Sequence, residues 1–321
     1  MALHPEVTER LRAAGLEPDA AERLVRGALS EDFRYGPDIT SEATTAPGAR
    51  GTAGVVARQP GVLAGLPVAL AVLDAAGVPP DAAEPLRADG DRIGAGCEVL
   101  RISAPLREML GAERTMLNFL THLSGIATST RAWADAVAGT GAAVRDTRKT
   151  IPGLRELEKY AVRCGGGVNH RMGLGDAALV KDNHVAAAGG IAAAVAAVRA
   201  AAPGVPLEVE CDTLAQVREA LAAGAGLILL DNMGLDDLRA AVALARDHPV
   251  VRCAGPGGRL PEPPRSAGPG GRPPESPRFE ASGGLRLDMA RAVAETGVDF
   301  IAVGALTHSS PALDLGLDML S

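Results

Sequence analysis

Apolar positions along the chain follow two rhythms. Through the first third they recur at helical spacing in Val7–Ala14 and Ala20–Leu29, then shorten to strand-like pieces at Gly54–Ala57 and Cys97–Ile102. Between those pieces, Leu66–Ala76 reads as a helix closed by Gly77. From Pro105 to about Val137 a long helical tract carries Leu106, Met109, Leu110, Met116, Leu117, Leu120 and Leu123, and Ser124 with Gly125 predicts a break in it. This part of the chain predicts an α+β arrangement.

The remainder alternates regularly. Short apolar runs recur at Ala142–Val144, Ala177–Val180, Leu207–Val209, Leu227–Leu230, Phe279–Ala281 and Phe300–Val303. Helical stretches separate most of them, at Ile191–Ala201, Thr213–Ala223, Leu235–Ala245 and Leu285–Glu295. Strand–helix alternation implies a parallel sheet, and this many units predict a β/α barrel. Residues Ala254–Pro277 fall outside the rhythm: 14 of these 24 are Gly or Pro, and Leu260 is their one large apolar side chain. Such a segment cannot bury enough surface to order itself, so it predicts a flexible insertion before the next strand.

Composition then narrows the function. A chain of 321 residues suffices for one large domain or two moderate ones. Aromatics at 2% leave few stacking platforms for single-stranded nucleic acid. A net charge of −7 gives no general attraction to nucleic acid or anionic lipid, so a bound anion needs a local cluster of cations. The start, MALHPEVTER, lacks the apolar stretch of a signal peptide, and the Ala-rich run Val185–Val198 is too short to span a bilayer. Cys97, Cys164, Cys211 and Cys253 lie far apart, which fits reduced thiols better than a disulfide frame or a zinc site. The expectation is a cytoplasmic protein with neither a membrane nor a nucleic-acid partner.

Candidate chemistry sits where barrels place it, at the ends of the apolar runs. After Ala142–Val144 come Arg148 and Lys149; after Ala177–Val180 comes Lys181. The run LEVEC carries Glu208 and Glu210 on one face, because alternate strand residues point the same way. Asp231 and Asn232 follow the next run, Ser282-Gly283-Gly284 the fifth and Gly304 the last. Glu210 and Asp231 are the hard-oxygen ligands that Mg²⁺ prefers when substrate phosphates complete its shell. Glycine-rich ends of the final strands suit a phosphate held on backbone N–H groups. Arg148, Lys149, Arg171 and Lys181 suit anionic substrates, Arg especially for a bidentate grip on carboxylate. Singly, each has a plainer reading: Lys149 and Lys181 as ion-pair partners of Glu210 and Asp231, His170 as a satisfied hydrogen-bonding histidine, Arg114 as an exposed helical charge, Asn232 as the cap of the helix from Leu235.

Longer motifs then resemble a known family. ERTMLNFLTHLSGIAT (113–128), DTRKTIPGLR (146–155), GGGVNHRMGLGDAALVKDNH (165–184), EVEC (208–211), LLDNM (229–233), EASGG (280–284) and VGALTHS (303–309) are similar to the quinolinate phosphoribosyltransferases, as are SEDFRYGPDIT (30–40) and GVLAG (61–65). The resemblance implies a type II phosphoribosyltransferase fold: an open α/β sandwich over 1–114, rejoined by the tail 309–321, and an incomplete β/α barrel over 115–308, with the insertion at about 252–277. It implies phosphoribosyl pyrophosphate and quinolinate as substrates, Mg²⁺ as cofactor, and a homodimer, or a higher oligomer built on it, whose sites are shared across the interface. By motif position, Arg114 comes from the neighbouring subunit, and Arg148, His170 and Arg171 hold the quinolinate carboxylates. Lys149 and Lys181 sit where substrate and diphosphate meet, with Thr147 beside them. Glu210 and Asp231 hold Mg²⁺. Ser282, Gly283, Gly284 and Gly304, with its neighbours Val303 and Ala305, receive the 5-phosphate.

Rival readings are a phosphoribosyltransferase for another carboxylated ring, a barrel aldolase using Lys149 or Lys181 as Schiff-base nucleophile, and a phosphate-ligand sensor without turnover.

Overall fold

The computed structural model describes residues 2–245 and 277–320. All but the last residue of the Gly/Pro-rich segment 254–277 lies outside the described residues. The chain divides into two compact units: Met1–Arg131 with Thr150–Gly166 and Leu306–Ser321, and Ala132–Lys149 with Gly167–Ala305.

The first unit is built on an antiparallel sheet. Strands β1 (Arg50–Ala57), β2 (Gly61–Val62), β3 (Ala83–Pro85), β4 (Arg92–Ile93) and β5 (Glu98–Pro105) lie in its first half. The four-stranded sheet runs Leu315–Leu320, β1, β5, β3, so the end of the chain pairs with its first strand. Helix starts follow their caps: the Glu17 carboxylate accepts the Asp19 and Ala20 amides ahead of Pro18–Asp32, with Pro at the first turn where no N–H is needed. The helix Leu66–Ala75 is apolar all round as far as Leu73, and Leu66 and Val68–Leu73 are buried accordingly.

The break expected at Ser124-Gly125 is absent. One helix runs from Leu106 to Ala136. Gly125 serves close approach instead, since a Cβ there would stand 2.9 Å from Ala312 Cα and 3.0 Å from the Pro311 carbonyl carbon. Its neighbour Ser124 bonds both the N–H and the carbonyl of Ala64. Thr128 accepts the Val62 amide at 2.8 Å. These contacts explain why the helix stays with the first unit as far as Arg131, beyond the division expected at 114.

The second unit is a parallel sheet of six strands: β6 (Ala143–Arg145), β7 (Ala178–Val180), β8 (Leu207–Cys211), β9 (Leu227–Asp231), β10 (Arg278–Ser282) and β11 (Phe300–Ala302). They match the six apolar runs of the sequence. Their order is β6-β11-β10-β9-β8-β7, every pairing parallel. Helices Ile191–Ala201, Leu214–Ala222 and Leu235–Leu244 intervene, and Leu227–Leu230 are buried throughout, as strands covered on both faces must be. The β6 edge gains one parallel bridge, Arg145 to Val168, and among the described residues it does not pair with β7. The architecture is α/β, an antiparallel-sheet unit and an incomplete β/α barrel. Among the described residues no single helix is long and apolar enough to cross a membrane.

Candidate active site

Because all six strands are parallel, their C-terminal ends share one end of the sheet. That end carries Thr147, Arg148 and Lys149 after β6, Lys181 after β7, Glu210 on β8, Asp231 at the tip of β9, Ser282–Gly284 at the tip of β10, and Val303–Ala305 after β11. With His170 and Arg171, fourteen of the fifteen site residues expected from sequence belong to this one unit. Arg114 is the fifteenth; it is exposed on the Leu106–Ala136 helix of the first unit.

The cations are arranged for an anion. Arg148 and Arg171 are close enough that the Arg148 charge, after burial, is the main influence holding Arg171 below its ordinary value. Each has a buried Nε–H without a hydrogen-bond partner. Two like charges with unused, desolvated donors are costly unless an anionic ligand meets them. Arg171 is steadied from behind by donating Nη1 to the Ala177 carbonyl at 3.0 Å. Asp176 closes that turn by accepting the Met172 and Gly173 amides, which hold its carboxyl below the usual range against the opposing effect of burial.

Lys181 donates Nζ to the Glu210 carboxylate, so one proposed phosphate-facing cation and one proposed metal ligand form a single ion pair. At β11, Gly304 leaves room for Lys149 and Thr147, whose atoms would lie within 4 Å of a Cβ there.

Beneath this surface lies a buried polar layer in which Arg145 and Glu280, not singled out from the sequence, join His170 and Glu208. Arg145 donates to Glu280 across the sheet, with side chains 2% and 0% exposed, and its guanidinium stacks 4.4 Å from the centre of the Phe300 ring. His170 Nε2 lies 3.0 Å from Glu208 and 3.5 Å from Glu280. His170 Nδ1 accepts the Arg171 amide at 2.7 Å. The His170 amide in turn donates to Asp146 at 2.8 Å. Burial pushes both Glu208 and Glu280 up to about 7, aided at Glu280 by the facing Glu208 carboxylate.

Two groups of side chains offer ligands to a metal. Ligand atoms of His170, Glu208 and Glu280 all lie within 4.8 Å of one another. That group contains an imidazole nitrogen, and Arg145 already supplies its positive charge, so it does not suit Mg²⁺. Glu210 and Asp231 do suit it: two half-buried carboxylates on adjacent strands, offering only oxygen ligands.

Known proteins share this chain's pattern. Residues 38–124 match the family model for the quinolinate phosphoribosyl transferase N-terminal domain. Residues 126–258 and 271–318 match the C-terminal domain of the same family. A nicotinate-nucleotide pyrophosphorylase (carboxylating) of Mycobacterium leprae is 51% identical over 94% of this chain and 98% of its own length. A quinolinate phosphoribosyltransferase (decarboxylating) of Nicotiana tabacum is 36% identical over 92% and 81%. Among solved structures, the nicotinate-nucleotide pyrophosphorylase of Francisella tularensis superposes with a TM-score of 0.81 at 36% identity, covering 94% of this chain and 96% of that one.

Proposed function

The chain belongs to the quinolinate phosphoribosyltransferase family, and from that premise we propose how its own residues carry out the family's reaction. The reaction joins the phosphoribosyl group of phosphoribosyl pyrophosphate to quinolinate and releases CO₂ and diphosphate, giving nicotinate mononucleotide for de novo NAD biosynthesis. The observation that carries the reading is the Arg148–Arg171 pair, two mutually repelling cations with buried, unpartnered Nε–H groups at the strand-end face. A dicarboxylate is the ligand that relieves both.

Arg148 and Arg171 each grip one quinolinate carboxylate, with His170 fixing the Arg171 backbone. Ser282, Gly283, Gly284, Gly304 and Ala305 surround the 5-phosphate with backbone N–H groups, and Val303, whose own N–H donates to the Arg145 carbonyl at 2.9 Å, fixes the start of the last turn. Glu210 and Asp231 are the residues that would hold Mg²⁺. When bound, Mg²⁺ neutralises charge on the departing diphosphate. Lys181 leaves its pair with Glu210 to face that diphosphate, and Lys149, beside Thr147, supplies fixed positive charge between the two substrates. The bond from the ribose C1 to diphosphate breaks as the pyridine nitrogen takes its place. The 2-carboxylate then leaves as CO₂, its electron pair accepted by the pyridinium ring and its place taken by a proton. Holding two anions together is the main task, which explains the concentration of cations at Arg148, Lys149, Arg171 and Lys181.

Arg114 completes the site from a second copy of the chain, making the working unit a homodimer. Its exposure on the long helix supports that role. The enzyme is cytoplasmic in this reading, supported by three free cysteines among the described residues. Incubating the protein with quinolinate, phosphoribosyl pyrophosphate and Mg²⁺ tests the proposal: nicotinate mononucleotide is expected, and its absence from folded protein would reject it.

A further inference from the structure

β9 and β10 run side by side with Asp231 paired to Ser282. The next step along that pair is made by Asn232, whose N–H donates to the Ser282 carbonyl at 2.9 Å. Among the described residues Asn232 is the one non-glycine with a left-handed backbone, at φ 54°. Asn tolerates this region better than most side chains, but glycine would adopt it at no steric cost. Strained positions of this kind gather at ligand sites. What Asn brings that glycine lacks is the side chain.

That side chain touches two things. Its Nδ2 donates to Asp231 Oδ2 at 2.6 Å. Its amide also lies against Gly283, itself at φ +91°, where a Cβ would stand 2.6 Å from Asn232 Cγ and 2.8 Å from Asn232 N. It does not cap the following helix, Leu235–Leu244, whose N-cap is Gly234. One amide therefore spans a carboxylate proposed for the metal and the turn proposed for the 5-phosphate.

We infer that Asn232 is a positioning residue for phosphoribosyl pyrophosphate, fixing the distance between the Asp231 carboxylate and the Ser282–Gly284 turn so that both ends of one substrate are met together. The inference rests on the reading that Asp231 and that turn receive the metal-bound diphosphate and the 5-phosphate. The amide N–H orients Asp231, and the bulk of the amide holds the turn. Asn232→Gly keeps the backbone conformation and removes both; Asn232→Asp keeps the shape but replaces the donor with a second negative charge beside Asp231.

The experiment measures calorimetric binding of ribose 5-phosphate without metal, binding of phosphoribosyl pyrophosphate with Mg²⁺, and KM for each substrate. Asn232→Gly is expected to weaken both ligands by roughly tenfold or more, the effect of losing a hydrogen bond to a charged group and its support. Quinolinate KM should stay within about twofold, since nothing at Arg148 or Arg171 is altered. Asn232→Asp is expected to weaken both ligands, because its new negative charge stands beside Asp231 and also against the Gly283 turn. Parent-like binding of both ligands by Asn232→Gly would overturn the inference. If that variant does not fold, parent-like affinity of Asn232→Asp for phosphoribosyl pyrophosphate with Mg²⁺ overturns it equally. Asp231→Asn separates the two levels: loss of Mg²⁺-dependent binding there with none at Asn232 rejects the positioning role alone, whereas no loss at Asp231 rejects the underlying metal assignment.

Discussion

Gly304 and Lys149 are packed so closely that a Cβ on the glycine would stand 2.9 Å from Lys149 Cδ and 3.4 Å from Thr147 Oγ1. The clash falls on the middle of the lysine chain, so moving its tip alone cannot relieve it. Gly304→Ala is expected to shift Lys149 and lower kcat/KM by about 10- to 100-fold, the effect of a displacement near 1 Å at a reacting centre. Thermal unfolding should change little. A variant with parent-like kinetics would remove Lys149 from the mechanism.

Arg145 and Glu280 form a buried ion pair under the site, 2% and 0% exposed. Removing one partner leaves the other charge unpaired, and here Glu280 would face Glu208, with His170 Nε2 within 3.5 Å of both. Arg145→Met is expected to destabilise the protein by about 3–5 kcal/mol in urea unfolding. A loss below about 1 kcal/mol would show the pair to be worth no more than a surface contact.

The same layer sets a pH dependence. Burial raises the Glu208 and Glu280 carboxyls to about 7, above the ordinary 4.5. The folded state therefore keeps protons that the unfolded chain releases. This contribution to stability is complete below pH 4.5 and is lost as pH rises through about 7. Glu208→Gln still offers His170 an oxygen but cannot titrate. The parent should lose stability relative to it by up to about 1.4 kcal/mol per pH unit per proton between those values. Parallel stability curves for parent and variant would contradict the assignment.

Much of this was legible in the sequence because the chemistry of a barrel follows its strands. Six apolar runs became six strands, and the polar residues just past them fell at one end of one sheet. The buried layer was not legible for the opposite reason. Arg145 directly follows one apolar run and Glu280 sits inside another, and only the pairing order β6-β11-β10 brings the two side chains together. Glu208 was read as sharing a face with Glu210, but its depth depends on neighbouring strands. Gly125 predicted a helix break because its partner, the Pro311–Ala312 backbone, is distant in sequence. Asn232 read as a helix cap because its left-handed backbone is a tertiary fact.

The shared site has its own test. Arg114→Ala and Lys181→Ala chains should each be nearly inactive alone. Mixed and reassociated, they should regain up to about a quarter of parental activity, from hybrid dimers holding one intact site. No recovery in dimers shown to be mixed would place Arg114 outside the site.

The most direct measurement is the stoichiometry of the reaction with quinolinate labelled in its 2-carboxyl group. One CO₂ and one diphosphate are expected for each nicotinate mononucleotide formed, with all three abolished when Mg²⁺ is chelated and restored when it is returned. Diphosphate released without labelled CO₂, or no turnover by folded protein that binds both substrates, would contradict the account.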